Sequence, residues 1–136
     1  MFPSDTRILV VDDMRTMRMI VKKALSDLGF KSVVDADDGA TAWPEIERAV
    51  ASSTPFQLII SDWNMPKLTG IELLKKVRAH PQMATVPFVL LTAEAEKHQV
   101  VEALQAGVSS YITKPFTAET VSQKLTALHQ TVAKAK

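Results

Sequence analysis

The sequence predicts an α/β protein built on a five-stranded parallel sheet, doubly wound with helices on both faces. Three observations carry that expectation. Five short β-rich runs recur along the chain, each is followed by a stretch with helical apolar spacing, and the runs are continuous rather than alternating in polarity. Strands buried on both faces of a helix-covered parallel sheet look like this.

The first run, Ile8-Leu9-Val10-Val11, leads into a helix in which Met17, Ile20, Val21, Ala24, Leu25 and Leu28 follow the i, i+3, i+4, i+7 stripe and Gly29 supplies the stop. Val33-Val34 is a weaker second run, and its helix is expected from about Asp38. Pro44 falls inside that helix; an interior proline removes a hydrogen bond and crowds the carbonyl four residues back, so a kinked or short helix is predicted. Leu58-Ile59-Ile60 is the third run, with Ile71, Leu74 and Val77 marking the helix after it. Phe88-Val89-Leu90-Leu91 is the fourth, followed by Val100, Val101 and Leu104, with Gly107 just beyond. Tyr111-Ile112 is the fifth. The last helix is expected from about Ala118, with Val121, Leu125, Leu128 and Val132 on one face and Thr117 as its N-cap. Ala51-Ser52-Ser53-Thr54-Pro55 and His80-Pro81-Gln82 read as surface loops. Strand–helix alternation with right-handed crossovers suits a flavodoxin-like (βα)5 fold with strand order 2-1-3-4-5.

The chain has 136 residues, and at roughly 150 residues per domain a single domain over 1–136 is expected, with no room for a second, effector domain. Sixteen basic and fifteen acidic side chains leave a net charge of +1. That near-neutrality removes the whole-chain argument for a nucleic-acid or membrane-surface partner. No apolar run exceeds four residues, so no membrane span is expected, and Met1-Phe2-Pro3-Ser4-Asp5 lacks the basic-then-apolar order of a signal peptide. With no cysteine there is no disulfide, thiol nucleophile or thiolate metal site. The expectation is a cytoplasmic protein, with nothing that calls for an oligomer.

Polar residues gather where the runs end. The first run ends in Asp12-Asp13, the third in Ser61-Asp62, the fourth in Thr92, and the fifth in Thr113-Lys114-Pro115. In a parallel sheet these ends share one edge, and ligands bind outside the carboxyl ends of the strands. Any one of these residues could simply cap the following helix. Capping does not account for Asp12-Asp13 in tandem, or for Lys114 set among acids. Two carboxylates about 4 Å apart repel by roughly 4 kcal/mol at an effective dielectric of 20, so the cluster needs a cation, shifted protonation, or both. Hard oxygen ligands without His or Cys favour Mg²⁺ or Mn²⁺ over zinc. In the expected strand order Asp62 lies between the acidic pair and the donors Thr92 and Lys114. That is the position of a carboxylate nucleophile attacking phosphorus, and the site fits an aspartyl phosphate.

Val10-Val11-Asp12-Asp13, Ser61-Asp62-Trp63-Asn64-Met65-Pro66, Leu91-Thr92-Ala93-Glu94-Ala95 and Lys114-Pro115-Phe116-Thr117 resemble the receiver domain of two-component response regulators, and within it the single-domain chemotaxis regulators. The resemblance implies Asp62 as phosphoacceptor. It implies one Mg²⁺ held by Asp13, Asp62 and the backbone carbonyl of Asn64, with Asp12 acting through a water. Lys114 would pair with phosphoryl oxygens, and the Lys114-Pro115 bond would be cis. Thr92 and Tyr111 would be the switch pair, and Asn64 and Glu94 would tune dephosphorylation. The implied output surface includes Ala95, Lys97, Val100, Tyr111 and Lys124. The implied partners are a histidine kinase of the chemotaxis type, the flagellar motor switch protein and a phosphatase. Met14-Arg15 and Glu96 depart from the commonest pattern of that branch, and Trp43-Pro44 is assigned no role. The alternatives are a single-domain phosphorelay shuttle or phosphate sink and, more remotely, an aspartate-nucleophile phosphohydrolase. The hydrolase would carry Asp-x-Asp after the first strand, where this chain has Asp12-Asp13-Met14.

Overall fold

The computed structural model of the chain describes residues 2–65, 67–93, 97–114 and 116–135. Strands and helices alternate in the order β1 (Arg7–Val11), α1 (Arg15–Asp27), β2 (Ser32–Ala36), α2 (Gly39–Ala51), β3 (Leu58–Asp62), α3 (Gly70–Ala79), β4 (Phe88–Thr92), α4 (Lys97–Ala106), β5 (Ser110–Thr113) and α5 (Ala118–Ala135). The sheet runs β2-β1-β3-β4-β5 and every pairing is parallel, as expected. Ile8 lies opposite Val33 and Leu58, Ile59 opposite Phe88, and Val89 opposite Ser110.

Alternate residues of the continuous runs supply two separate cores, because successive strand side chains point to opposite faces. Leu9, Val11, Ile59, Phe88 and Leu90 join Ile46 of α2, and Leu73, Leu74 and Val77 of α3. Ile8, Val10, Leu58, Ile60, Val89 and Leu91 join Val21 and Leu25 of α1, and Val121, Leu125 and Leu128 of α5. Each such side chain contributes about 1.5–3 kcal/mol when taken fully out of water. The central strands are thereby held rigidly, and their carboxyl ends with them.

Helix ends follow local chemistry. Past α1, Gly29 adopts φ +96°, its N–H bonds Ser26 O, and the Phe30 N–H bonds Leu25 O. This is a Schellman ending that a side-chain-bearing residue would strain. Thr117 caps α5 through its Oγ1, which accepts the Thr120 N–H at 3.1 Å. Asp38 and Thr41 form a capping box on α2, and Thr69 and Glu72 form another on α3.

Three expectations are corrected. Helix α2 is not short: it spans thirteen residues with Pro44 inside. Pro44 lies early in the helix, so the single bond it forfeits is the one to Ala40, an exposed residue of the first turn whose carbonyl solvent can reach. Ile20 of α1 is exposed, although Val21, Ala24 and Leu25 beside it are buried. Among the described side chains of α4, Ala103 is buried, while Val101 and Leu104 face solvent, Leu104 at 61% exposure. The side chains of Val100 and Val132 lie outside the described residues.

The start of α3 is packed against the end of β3. A Cβ on Gly70 would overlap the Asp62 carbonyl oxygen and come within 3.0 Å of the Trp63 Cα. Both obstacles are backbone and cannot rotate away. Gly70→Ala is therefore expected to destabilise the fold by about 1–3 kcal/mol, as overpacking does. Urea unfolding monitored by circular dichroism checks this, and an unchanged midpoint would show that the loop gives way.

Candidate functional site

Parallel pairing brings Asp12, Asp62, Thr92 and Lys114 to one edge of the sheet. Asp62 is the last residue of β3 and Thr92 the last of β4, while Asp12 follows β1 and Lys114 follows β5. Their chain ends are tied by backbone bonds across the edge: the Asp12 N–H donates to Ala36 O at 3.2 Å, and the Lys114 N–H to Thr92 O at 2.7 Å. Asp12, Asp62 and Thr92 are buried, whereas Asp13 is exposed.

The three carboxylates each offer an oxygen, and these lie within 4.8 Å of one another. Lys114 reaches into the cluster. Its Nζ donates to Asp62 Oδ1 at 2.8 Å and stands 3.5 Å from Asp12 Oδ2. The Lys114 side chain is 16% exposed, so water screens these ion pairs less than on an open surface. The Met14 N–H donates to Asp12 Oδ1 at 2.9 Å and fixes that carboxylate's rotamer. Burial raises the Asp12 carboxyl from its ordinary value of 3.8; the Met14 N–H opposes this, the Asp62 charge adds to it, and Lys114 lowers it again.

The donor set fits a hard divalent cation. It consists of carboxylate oxygens close enough to share one ion, with neither His nor Cys among them. Asn64, two residues past Asp62, is exposed beside the cluster's strand end.

Tyr111 is half-buried on β5, three residues before Lys114, and packs against the core on the α2–α4 side. The Lys124 Nζ stands 5.1 Å from the centroid of its ring, so the lysine is not simply solvated. Glu94, Ala95, Glu96 and Pro115 lie outside the described residues, as do the side chains of Lys97 and Val100. One residue near the cluster was missed in the sequence. Arg18 of α1 donates from Nη1 to the Asp12 carbonyl oxygen at 2.7 Å and from Nε to Asp35 Oδ2 at 3.0 Å. Nothing in the sequence separates it from Arg15 or Lys22, its neighbours on the same helix.

The sequence profile of the response regulator receiver domain matches residues 8–126. The chain belongs to the response regulator receiver family. The chemotaxis protein CheY-3 of Vibrio cholerae is 49% identical over 119 residues, covering 88% of each chain. CheY of Pseudomonas aeruginosa is 45% identical over 126 residues, covering 93% of this chain and 98% of that one. Among solved structures, Vibrio cholerae CheY4 superposes with a TM-score of 0.83 at 34% identity, over 91% of this chain and 98% of that one. The receiver domain of a sensor histidine kinase from Pseudomonas aeruginosa PAO1, which holds a magnesium ion in its active-site cleft, gives 0.78 at 28% identity over 93% and 96%. The receiver is thus of the CheY chemotaxis type, a signalling protein. Among the described residues no helix is long and apolar enough to cross a membrane.

The burial of Asp12 beside Asp62 sets a cost on ionising it in the folded chain. In metal-free buffer Asp12→Asn is expected to melt at a higher temperature than the wild type at neutral pH. Between pH 3.8 and the raised folded value, the unfolded chain is ionised at Asp12 while the folded chain keeps the proton. Wild-type stability therefore falls as pH rises through that window and stays lowered above it. The melting-temperature gap between variant and wild type should widen from acid pH upward and then level; a gap independent of pH would refute the burial argument.

Proposed function

We propose that residues 1–136 form one receiver domain that accepts a phosphoryl group on Asp62 from a histidine kinase of the chemotaxis type and then signals by binding protein, with the flagellar motor switch as target. The observation that carries this reading is the Lys114 ammonium 2.8 Å from Asp62 Oδ1 inside a cluster of three carboxylates. It is the arrangement that phosphoryl transfer to a carboxylate requires: a nucleophile with fixed cationic and donor groups beside it. The site works in the cytoplasm, where such a kinase is found.

In the transfer, an Asp62 carboxylate oxygen forms the bond to phosphorus while the phosphorus–nitrogen bond of the donor phosphohistidine breaks. The released imidazole nitrogen keeps the bonding pair and takes up a proton. Asp13, Asp62 and the backbone carbonyl of Asn64 would hold Mg²⁺, with Asp12 acting through a water and Mn²⁺ as a substitute. When bound, the ion offsets charge on the phosphoryl oxygens. Lys114 exchanges its contact with Asp62 Oδ1 for a phosphoryl oxygen, and the Thr92 hydroxyl donates to another. Water attack at phosphorus later cleaves the bond to Asp62, at a rate tuned by Asn64 and Glu94. Movement of Thr92 and Tyr111 alters the output surface that includes Ala95, Lys97, Val100, Tyr111 and Lys124.

Incubation with acetyl phosphate and Mg²⁺ should add one phosphoryl group to the wild type, seen by intact-protein mass spectrometry, and none to Asp62→Asn. Lys114→Ala should still fold but take up the group more slowly, and chelation of Mg²⁺ should stop the reaction. A labelled Asp62→Asn protein would refute the assignment of the phosphoacceptor. The phosphorylated protein should bind a motor-switch peptide more tightly than the unmodified form. Equal binding would instead favour a phosphorelay shuttle or phosphate sink.

A further inference from the structure

Arg18 lies a full turn into α1, yet both ends of its guanidinium are committed. Nη1 reaches the Asp12 carbonyl oxygen at 2.7 Å and Nε reaches Asp35 Oδ2 at 3.0 Å. Asp35 is gripped a second time by Lys22 Nζ at 3.3 Å. The Arg18 side chain is 16% exposed, far less than an arginine on a solvated helix face. A planar guanidinium can serve two acceptors at once in fixed geometry, which a lysine ammonium on a flexible stem does less well.

The Asp12 carbonyl belongs to the peptide plane that ends at the Asp13 Cα, so holding that oxygen holds Asp13 as well. The three carboxylates differ in what positions them. The Met14 N–H and Lys114 hold Asp12, and Lys114 holds Asp62. No hydrogen bond or ion pair from the described residues reaches the exposed Asp13 carboxylate. Among the described residues, its place in the cluster is set by the backbone.

We infer that Arg18 is a positioning residue for divalent-cation binding: by clamping the Asp12–Asp13 peptide to Asp35 of β2, it presents the Asp13 carboxylate to the ion. The inference rests on the reading of Asp12, Asp13 and Asp62 as the cation site. Arg18 acts through Asp13 and touches neither the ion nor the phosphoryl group. The sign of the effect distinguishes this role from simple electrostatics. Removing a positive charge near a cation site would by itself tighten cation binding, whereas loss of the clamp loosens it.

The test is a Mg²⁺ titration of wild type, Arg18→Met, Arg18→Lys and Asp13→Asn, followed by tryptophan emission, since Trp63 adjoins Asp62. The rise in melting temperature with Mg²⁺ is the second readout. Arg18→Met should raise the Kd about tenfold, at the low end of losses from removing groups that orient metal ligands. Its Mg²⁺-induced melting shift should shrink accordingly, and Arg18→Lys should fall between it and the wild type. A merely structural role would lower the metal-free melting temperature and leave the Kd unchanged. If Arg18→Met binds Mg²⁺ as tightly as the wild type or more tightly while Asp13→Asn is impaired, the clamp is overturned and the cation site stands. If Asp13→Asn itself binds like the wild type, the site reading falls and the inference falls with it.

Discussion

Asp12, Asp13 and Asp62 bring oxygens within 4.8 Å of one another, where a pair of unit charges at an effective dielectric of 20 repels by about 3 kcal/mol. Such a cluster cannot persist in a fold of ordinary stability unless the scaffold is stiff and a cation is near. The scaffold is stiff because β1 and β3 are buried from end to end at their carboxyl halves, with a separate apolar core on each face. The Gly70 N–H also donates to Trp63 O at 2.9 Å, tying the start of α3 to the residue after Asp62. The near cation is Lys114, but one ammonium set against three carboxylates leaves a formal shortfall of two positive charges. A divalent ion would meet that shortfall, and an incoming phosphoryl group of about −1.5 to −2 charge would reopen it. Lys114, which follows the last residue of an edge strand, would be the group to follow the new charge.

How much of this was legible in the sequence depends on the range of the interaction. The strands were legible because continuous apolar runs have one stable home, the interior of a parallel sheet. The convergence of Asp12, Asp62, Thr92 and Lys114 followed from topology, since parallel strands put all their carboxyl ends on one edge. The faces of the helices were less legible. Spacing identified an apolar stripe on α4 at Val100, Val101 and Leu104, but periodicity does not say which stripe a neighbour covers. The structure turns Ala103 inward, and a small residue carries little weight in a hydrophobic pattern. Ile20 failed for the same reason, at the margin of a stripe whose centre is Val21, Ala24 and Leu25. Pro44 misled because the rule against interior prolines is a rule about lost bonds, and early in α2 the bond lost is one that water replaces. Arg18 was invisible because its meaning lies in the Asp12 carbonyl, a group every residue possesses.

The path from the crevice to the distal face is short. β5 is four residues long and pairs with β4 alone. Lys114 follows its last residue, and Tyr111 lies opposite Leu90 within it. A pull on Lys114 is therefore a pull on the strand that carries Tyr111. The pairing of β5 with β4 resists it, as do the Lys114 N–H to Thr92 O bond at 2.7 Å and the Lys124 ammonium 5.1 Å from the Tyr111 ring. A cation–π contact near the surface is worth about 0.5–1 kcal/mol, whereas driving a switch from 1:99 to 99:1 takes about 5.5 kcal/mol. Lys124 can bias the ring but cannot hold it against a full switching force. The larger resistance must come from the apolar packing of Tyr111 against the α2–α4 core, which also contains Ala103 and Ala106 of α4. Among the described side chains of α4, Ala103 and Ala106 turn toward that core, while Val101 and Leu104 stand in solvent. The wall that a moving tyrosine ring would meet includes Ala103 and Ala106 of α4. The proposed phosphorylation at one edge and the proposed response beside β5 would then draw on one arrangement: central strands buried on both faces, and an edge strand that carries Tyr111 and leads to Lys114.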